Sequence, residues 1–261
     1  MKKIIIDFKD DGLTPKKTLL TLGCFDGIHK GHQEIIKELQ KKAKEYNLKS
    51  CLCVFDPHPF QVLNPSQEFK RLFLVDEIEK ILAAYSLDYF CIIPFNLDFS
   101  KLSPKDFIHS FIKKQFDPFE IIVGYDFSFG FEKKGDISYL KKEGEKLGFK
   151  VTQISKKNYH NETVSSSIIK KKLSEGLLDQ VMNFLGRPFG IKARVIQGES
   201  YGRRLGFPTA NLDIKPIKQL PKKGVYACKV SVSGGPPKKA VMNIGTRPTL
   251  SSQNKTSTEV H

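Results

Sequence analysis

Long apolar runs are missing from this sequence of 261 residues. A transmembrane helix needs about 20 consecutive apolar residues, whereas the longest runs here, such as the isoleucines at 4–6, span only a few. Those isoleucines follow two lysines and soon give way to acidic residues, so they lack the longer apolar core of a secretory signal. We therefore expect a first strand at this end of the chain and a cytoplasmic protein that does not enter a membrane.

Cysteine is scarce as well. The five cysteines form an odd number, and no two of them have the CxxC spacing that many redox and zinc sites use. Cys51 and Cys53 alternate in a predicted strand, so their side chains share one face of it. We interpret the cysteines as reduced thiols of the core.

Arginine is rare among the basic residues, with six arginines against 37 lysines. The net charge of +15 is uneven, because residues 151–261 hold 19 basic and only 6 acidic residues. The excess of basic residues in this segment has three explanations. It could form a nucleic-acid surface, it could bind anionic small molecules, or it could be balanced by acidic residues that follow residue 261. Aromatic residues do not alternate with the basic ones as stacking platforms require, so we expect no nucleic-acid partner.

The first part of the chain alternates between strand-like and helix-like patterns. Ser103 and Pro104 mark the start of one helix, as its N-cap and first helical residue. This alternation predicts a parallel sheet with helices on both faces, and such sheets bind ligands at the carboxyl ends of their strands. The predicted strands are 17–23, 49–56, 89–95, 119–127 and 150–155, and the predicted helices are 33–46, 74–86, 103–116 and 136–149.

The pattern changes near residue 185. Residues 165–186 predict two short helices that close the first domain. After them, short runs of alternating residues with glycine and proline turns predict a small antiparallel barrel or sandwich. We therefore predict a first domain at residues 1–184 and a second domain at residues 185–261.

One turn carries a chemical signal. In "GCFDGIHKGH" two histidines three residues apart lie between a predicted strand and a predicted helix. Gly23 and Gly27 allow the backbone to approach a ligand closely, and the helix that follows offers N–H groups and the positive end of its dipole. His29 and His32 add side-chain donors, so we predict a phosphate site there. A metal site and purely structural histidines are the alternatives.

The string "GCFDGIHKGH" resembles the HxGH signature of the nucleotidylyltransferase superfamily, whose histidines bind ATP phosphates and stabilise charge during transfer. The strings "VFDPHP", "RLFLVDEIEKIL", "FNLDFSKLSPKDF" and "IVGYDFSFGFEKKGD" follow in order. The later "LGRPFGIKARVIQGESYGRRLGFPTANL" and "AVMNIGTRPTL" are similar to the riboflavin kinase module. Nearly the whole chain thus resembles the prokaryotic bifunctional FAD synthetases, which join a riboflavin kinase to an FMN adenylyltransferase. The resemblance implies an α/β nucleotidylyltransferase-type, Rossmann-like parallel sheet followed by a small antiparallel β-barrel of the riboflavin kinase type.

In the first domain the resemblance implies a site for ATP and FMN. His29 and His32 are implied as catalytic residues on the ATP phosphates, and Asp126 is implied near the flavin or metal end. Lys170 stands where the family usually has arginine, which keeps the charge but loses the planar bidentate fork. The other implied ATP-binding residues are Gly23, Phe25, Asp26, Ser166 and Ser167.

In the second domain the resemblance implies a site for riboflavin and Mg·ATP. Glu259 is implied as the catalytic base for the flavin hydroxyl, and Thr209 and Asn211 offer the hard oxygen atoms that magnesium prefers. ATP, riboflavin and FMN are the implied substrates, flavins are the products, and Mg²⁺ is implied with ATP in both steps. The implied ATP-binding residues are Gly198, Gly202, Gly206, Pro208 and Thr209.

The sequence stops at His261, two residues after Glu259. The resemblance implies a further hairpin and a C-terminal helix in family members. We therefore expect a C-terminally incomplete kinase barrel, with an impaired or absent phosphorylation step beside a self-sufficient adenylyltransferase.

Two other functions compete with this interpretation. Another HxGH adenylyltransferase, acting on pantetheine phosphate or a nicotinamide nucleotide, would lack "GRRLGFPTANL". A flavin-binding protein without turnover would have no use for two ATP motifs. Both features favour the bifunctional enzyme.

Overall fold

The computed structural model describes residues 1–6, 14–159, 162–197, 208–246 and 256–261. Tertiary contacts divide the chain into two compact units. The first comprises Met1–Phe69, Phe73–Ser166 and Phe184–Gly186, and the second comprises Lys70–Leu72, Ser167–Asn183 and Arg187–His261. The domain boundary after residue 184 stays a prediction.

A six-stranded sheet forms the centre of the first unit. Its strand order is β1-β4-β3-β2-β5-β6, and every neighbouring pair is parallel. The predicted parallel sheet is therefore confirmed, and the carboxyl ends of its strands share one edge. The strands are β1 (Lys2–Ile5), β2 (Leu19–Gly23), β3 (Ser50–Asp56), β4 (Tyr89–Pro94), β5 (Glu120–Gly124) and β6 (Lys150–Ile154).

Helices connect the successive strands from β2 to β6, as parallel pairing requires. The longest, α1, follows β2 directly and buries an apolar stripe that includes Ile35, Ile36 and Leu39. A short antiparallel pair, β7 (Asn158–Tyr159) and β8 (Glu162–Thr163), follows β6. The helices are α1 (Lys30–Glu45), α2 (Pro59–Leu63), α3 (Val75–Leu82), α4 (Leu97–Ser100), α5 (Pro104–Asp106) and α6 (Ile137–Leu147), with a π-helix (Phe107–Phe116) and a 3₁₀ helix (Phe131–Lys133).

The helix predicted at 103–116 begins as expected but continues with different geometry. Ser103 Oγ accepts the Asp106 N–H at 3.0 Å, and Pro104 is the first helical residue. From Phe107 onward the segment is a π-helix. Nine residues of an α-helix make about two and a half turns, so Phe116 would point away from Phe107. The wider π turn instead buries both rings in one core.

Three of the cysteines lie in that core. Cys51 and Cys53 on β3 and Cys91 on β4 are fully buried. Burial raises the pKa of the Cys51 and Cys53 thiols, so they stay protonated at neutral pH. None of the five cysteines, all of which the structure describes, forms a disulfide, as predicted. The other two are only half-buried, so the prediction of core packing was wrong for Cys24 and Cys228.

The second unit contains a five-stranded antiparallel sheet with the order β11-β12-β13-β10-β9. One face is a core that buries Ile244, Thr258 and Val260. Two helices precede the sheet, α7 (Ser166–Glu175) and α8 (Leu178–Leu185), in agreement with the predicted pair. The strands are β9 (Arg194–Ile196), β10 (Ala210–Asp213), β11 (Gly224–Val230), β12 (Lys238–Thr246) and β13 (Thr256–Val260), which confirms the predicted small antiparallel module.

Candidate active sites

The turn between β2 and α1 has a strained backbone. Phe25 (φ 45°), Ile28 (φ 41°) and Gly27 (φ 107°) all lie in the left-handed region, which residues other than glycine rarely occupy. The fully buried side chain of Ile28 fixes the turn to the core. Local strain of this kind persists only where the surrounding structure imposes it, and it is frequent at ligand sites.

The two histidines of the turn form a stacked pair. His29 is the N-cap of α1, and its Nδ1 accepts the His32 N–H at 3.3 Å. The two rings are 3.6 Å apart between centroids and 17° from parallel. Because Nδ1 of His29 is an acceptor, its Nε2 carries the proton and is a donor. A Cβ on Gly31 would lie 3.2 Å from two atoms of the His29 ring, so glycine there gives the stacked ring its space.

Phe25 and Asp26, which also belong to this turn, contact residues around the histidine pair. The Phe25 ring lies 4.9 Å from the His32 ring between centroids. Asp26 is buried, its Oδ1 accepts the Phe73 N–H at 3.3 Å, and its carbonyl accepts the Ser166 hydroxyl at 2.6 Å. The structure thus brings together six of the residues expected to bind ATP, namely Gly23, Phe25, Asp26, His29, His32 and Ser166.

The remaining residues that the sequence predicts to bind ATP in the first domain lie on α7. Ser166 opens this helix and Ser167 follows it with an exposed side chain. Lys170, one turn further on, is half-buried. Contacts place Ser167 and Lys170 in the second unit and Ser166 in the first. Their role toward ATP stays a prediction.

Asp126 lies just beyond the end of β5, the strand that pairs with β2. Its side chain is exposed, and it follows Tyr125. Burial and then the charge of Asp126 raise the pKa of the Tyr125 hydroxyl. Because β2 and β5 are parallel neighbours, Asp126 and the histidine turn occupy the same edge of the sheet.

A cluster of three phenylalanines lies at the same edge, and the sequence analysis did not predict it. Phe55 is on β3, Phe95 follows β4, and Phe99 is on α4. The Phe55 ring is 5.8 Å from that of Phe95 and 6.0 Å from that of Phe99, and the last two are 5.6 Å apart. All three are half-buried. The signal that was available is an aromatic residue at the carboxyl end of two neighbouring strands.

In the second unit the structure brings Thr209, Asn211 and Glu259 together. Asn211 on β10 is directly opposite Glu259 on β13, and Thr209 Oγ1 donates to Glu259 Oε2 at 3.4 Å. The carbonyl of Pro208 accepts a hydrogen bond from His261 Nδ1 at 2.8 Å. A hydroxyl, an amide carbonyl and a carboxylate are hard oxygen donors, so this set fits Mg²⁺.

Three glycines expected in the kinase loop, Gly198, Gly202 and Gly206, lie outside the described residues. The histidine turn and the group of Thr209, Asn211 and Glu259 are the candidate sites whose residues the structure describes, one in each unit.

Comparison with known proteins also divides the chain in two. Residues 12–168 match the FAD synthetase family, and residues 185–261 match the riboflavin kinase family. The chain is 38% identical over 238 residues to the bifunctional riboflavin kinase/FMN adenylyltransferase of Buchnera aphidicola subsp. Schizaphis graminum, covering 90% of this chain and 76% of that protein. The chain belongs to this bifunctional family.

Other members of the riboflavin kinase/FMN adenylyltransferase family are similar to the same extent. The Escherichia coli K12 protein is 35% identical over 233 residues, with 89% of this chain and 74% of that protein covered. The Listeria monocytogenes protein is 33% identical over 225 residues, with 86% and 71% covered.

A solved structure supports the fold of this family member. It comes from Streptococcus pneumoniae, is described as a macrolide-efflux protein, and matches with a TM-score of 0.88 and 28% identity. The match covers 100% of this chain and 84% of that one. The efflux description is that protein's own. In this chain, no helix among the described residues has the length and apolarity to cross a bilayer.

Proposed function

We propose that the histidine turn transfers AMP from ATP to FMN, and that the Glu259 site transfers the terminal phosphoryl group of ATP to riboflavin. The main support for AMP transfer at the histidine turn is the stacked pair of His29 and His32 at the start of α1. Family membership supplies the two reactions, and the described geometry supports the choice of residues. The order of events is phosphorylation first and adenylylation second, because the product of one step is the substrate of the other.

In the adenylyl step a phosphate oxygen of FMN attacks the α-phosphorus of ATP. The new P–O bond joins FMN to AMP as FAD, and the bond to the bridging oxygen breaks, so pyrophosphate leaves with the electron pair. Negative charge builds up on the α-phosphoryl and on pyrophosphate during this step. The Nε2–H of His29, the His32 ring and the backbone N–H groups of Lys30 and Gly31 at the start of α1 are donors that would stabilise this charge.

The flavin ring needs a flat apolar surface near those phosphates. The cluster of Phe55, Phe95 and Phe99 lies at the carboxyl edge of the same sheet and offers aromatic faces and edges. We assign this cluster to the isoalloxazine ring and place Asp126 at the polar end of the flavin. Both assignments extend the sequence-based prediction, which named Asp126 alone.

In the kinase step the terminal hydroxyl of riboflavin attacks the γ-phosphorus of ATP. Glu259 takes the hydroxyl proton, the new P–O bond gives FMN, and ADP leaves with the bridging oxygen. The half-buried Glu259 carboxylate lies beside Thr209 and opposite Asn211. These neighbours would hold the carboxylate in one orientation toward the hydroxyl.

Magnesium belongs to this proposal as the companion of ATP. Thr209 and Asn211 would hold it in the kinase half, where a bound Mg²⁺ neutralises phosphate charge. The sequence predicts an impaired or absent phosphorylation step, and this proposal requires a step that is impaired but still measurable. A cytoplasmic location and the lack of a nucleic-acid partner stay predictions.

Substituting Glu259 tests whether this residue serves riboflavin phosphorylation alone. We expect Glu259→Gln to abolish FMN formation from riboflavin, while FAD formation from FMN continues at the rate of the unchanged chain. The matched control is Asp213→Asn, which removes a carboxylate on the neighbouring strand and should leave both reactions intact. Phosphorylation that survives Glu259→Gln would refute the role of Glu259.

A further inference from the structure

A single row of paired residues crosses all five strands of the second sheet. Val225 pairs with Asn243, Asn243 with Glu259, Glu259 with Asn211, and Asn211 with Ile196. We call these five residues the cross-sheet row. Directly opposed residues of antiparallel strands project from the same face, so the row is a continuous strip of side chains centred on the proposed base.

The strip is on the face opposite the core. Ile244 and Val260, which follow Asn243 and Glu259 in the chain, are buried, and successive side chains of a strand point to opposite faces. At the ends of the row, Val225 is 71% exposed and Ile196 is 49% exposed. Asn243 is exposed as well, so this face is accessible to a ligand.

The reaction geometry divides the row into two sides. Thr209 and Asn211 on β10 are the proposed nucleotide side of Glu259. In phosphoryl transfer the attacking and leaving oxygens are roughly in line, so the acceptor hydroxyl must approach from the side away from ADP. On β12, that opposite side presents Asn243.

We propose that Asn243 binds the ribityl hydroxyls of riboflavin and positions the terminal hydroxyl against Glu259. This inference rests on the proposed role of Glu259. A side-chain amide offers both donors and an acceptor, which matches a chain of hydroxyl groups. The next residue of the row is the exposed Val225, an apolar contact for the ring beyond the ribityl chain. Across the sheet, the proposed nucleotide side is followed by Glu259, then by Asn243, and then by Val225. This order matches that of ATP, the reacting hydroxyl, the ribityl chain and the isoalloxazine ring in the reacting complex.

Few other charged groups face Glu259 on this surface within residues 208–246 and 256–261. His261 directly follows β13, and its Nδ1 donates to the Pro208 carbonyl. Asp213 and Arg194 form the next pair of β10 and β9 that projects from this face. Lys239 lies four residues along β12 and pairs with Lys229. Asn243, which pairs directly with Glu259, is therefore nearer to it than Lys239 is.

Steady-state kinetics of riboflavin phosphorylation test the inference. We expect Asn243→Ala to raise KM for riboflavin about tenfold, the usual cost of losing one substrate hydrogen bond, with KM for ATP unchanged. Lys239→Ala, on the same strand and face, is the matched control and should change neither constant. Riboflavin affinity at equilibrium, read as fluorescence quenching with ADP present, should fall in parallel. FAD formation from FMN should stay unchanged.

A second variant distinguishes hydrogen bonding to riboflavin from a structural role of the side chain. Asn243→Asp keeps the shape of the side chain but replaces its two N–H donors by a second acceptor oxygen. Its KM for riboflavin should therefore rise as in Asn243→Ala, whereas Asn243→Gln, which retains the amide, should recover part of the affinity.

The outcomes distinguish a failure of the role of Asn243 from a failure of the proposed role of Glu259. An unchanged riboflavin KM in Asn243→Ala or in Asn243→Asp would overturn the inference while Glu259→Gln still abolishes phosphorylation. An equal rise in both KM values would also overturn it, since that indicates general damage. Phosphorylation that survives Glu259→Gln, or its absence from the unchanged chain, would overturn the proposed function of this sheet and the inference with it.

Discussion

The imidazole ring of His29 lies over that of His32 at a centroid distance of 3.6 Å. The contact depends on the first turn of α1, where His29 is the N-cap and His32 donates its backbone N–H to the His29 ring. Both rings are therefore held at the end of the helix where the dipole favours negative charge. One helix start thus holds both imidazole rings together, as the proposed phosphate site requires.

Removing the His32 side chain should impair FAD formation but not riboflavin phosphorylation. We expect His32→Ala to lower FAD formation from FMN by about 100- to 1,000-fold, the range typical for losing one donor to transition-state charge. Riboflavin phosphorylation by the same variant is the internal control and should stay unchanged. A loss of less than tenfold in FAD formation would contradict a direct role for His32.

Filling the space beside the His29 ring tests whether the stacked geometry matters for FAD formation. Gly31→Ala would place a Cβ 3.2 Å from the ring atoms Cε1 and Nδ1 of His29. The ring must then shift, so we expect FAD formation to fall while thermal stability changes little. Gly190→Ala is the matched control, because no atom lies within 4 Å of the Cβ position there. Full activity in Gly31→Ala would show that the stacked geometry is dispensable.

A glycine inside α6 gives a prediction that opposes helix propensity. Alanine normally stabilises a helix interior relative to glycine, but a Cβ on Gly144 would lie 2.7 Å from the carbonyl oxygen of Phe149. We expect Gly144→Ala to destabilise the fold by about 1–3 kcal/mol in urea unfolding. Glu145→Ala, at an exposed position of the same helix, should have little effect. A more stable Gly144→Ala variant would contradict the close contact.

Glu143 on α6 forms ion pairs with Lys146 of the same helix and with His109 of the π-helix, and this cluster predicts that stability depends on pH in acid. Hydrogen bonds from Lys146 and then His109 lower the pKa of the Glu143 carboxyl from 4.5 to about 2. A carboxyl whose pKa is lowered by folding stabilises the native state fully above its ordinary pKa, and the contribution disappears as pH falls toward the lowered value.

Urea unfolding between pH 7 and pH 2 measures this contribution. The unchanged chain should lose stability more steeply than Glu143→Gln as the pH falls from 4.5 toward about 2. Glu145→Gln on the same helix is the control and should follow the unchanged chain. Parallel curves for all three proteins would show that the cluster contributes nothing.

Much of the first unit could be predicted because its signals are local. Apolar runs of strand length alternate with helical patterns, and Ser103 and Pro104 announce a helix start within a few residues. His29 and His32 could also be connected with phosphate from the sequence, since a helix start joins residues three apart. The stacking of the two rings could not, because it depends on side-chain orientation.

Other features depend on contacts between distant residues. The register that aligns Asn243, Glu259 and Asn211 is set by strand pairing, and no sequence period reveals it. The cluster of Phe55 and Phe95 requires β3 and β4 to be neighbours. The π geometry of Phe107–Phe116 arises because tertiary packing buries side chains that an α-helix would place on opposite faces.

The central claim is most directly tested by one incubation of the full chain with FMN and Mg·ATP, followed by liquid chromatography with fluorescence detection. A parallel incubation with riboflavin reads out the phosphorylation step. We predict FAD and an equal amount of pyrophosphate from FMN, with both products formed about 100- to 1,000-fold more slowly after His32→Ala. FMN that remains unchanged in the presence of Mg·ATP would contradict the assignment of the histidine turn as an adenylyl-transfer site.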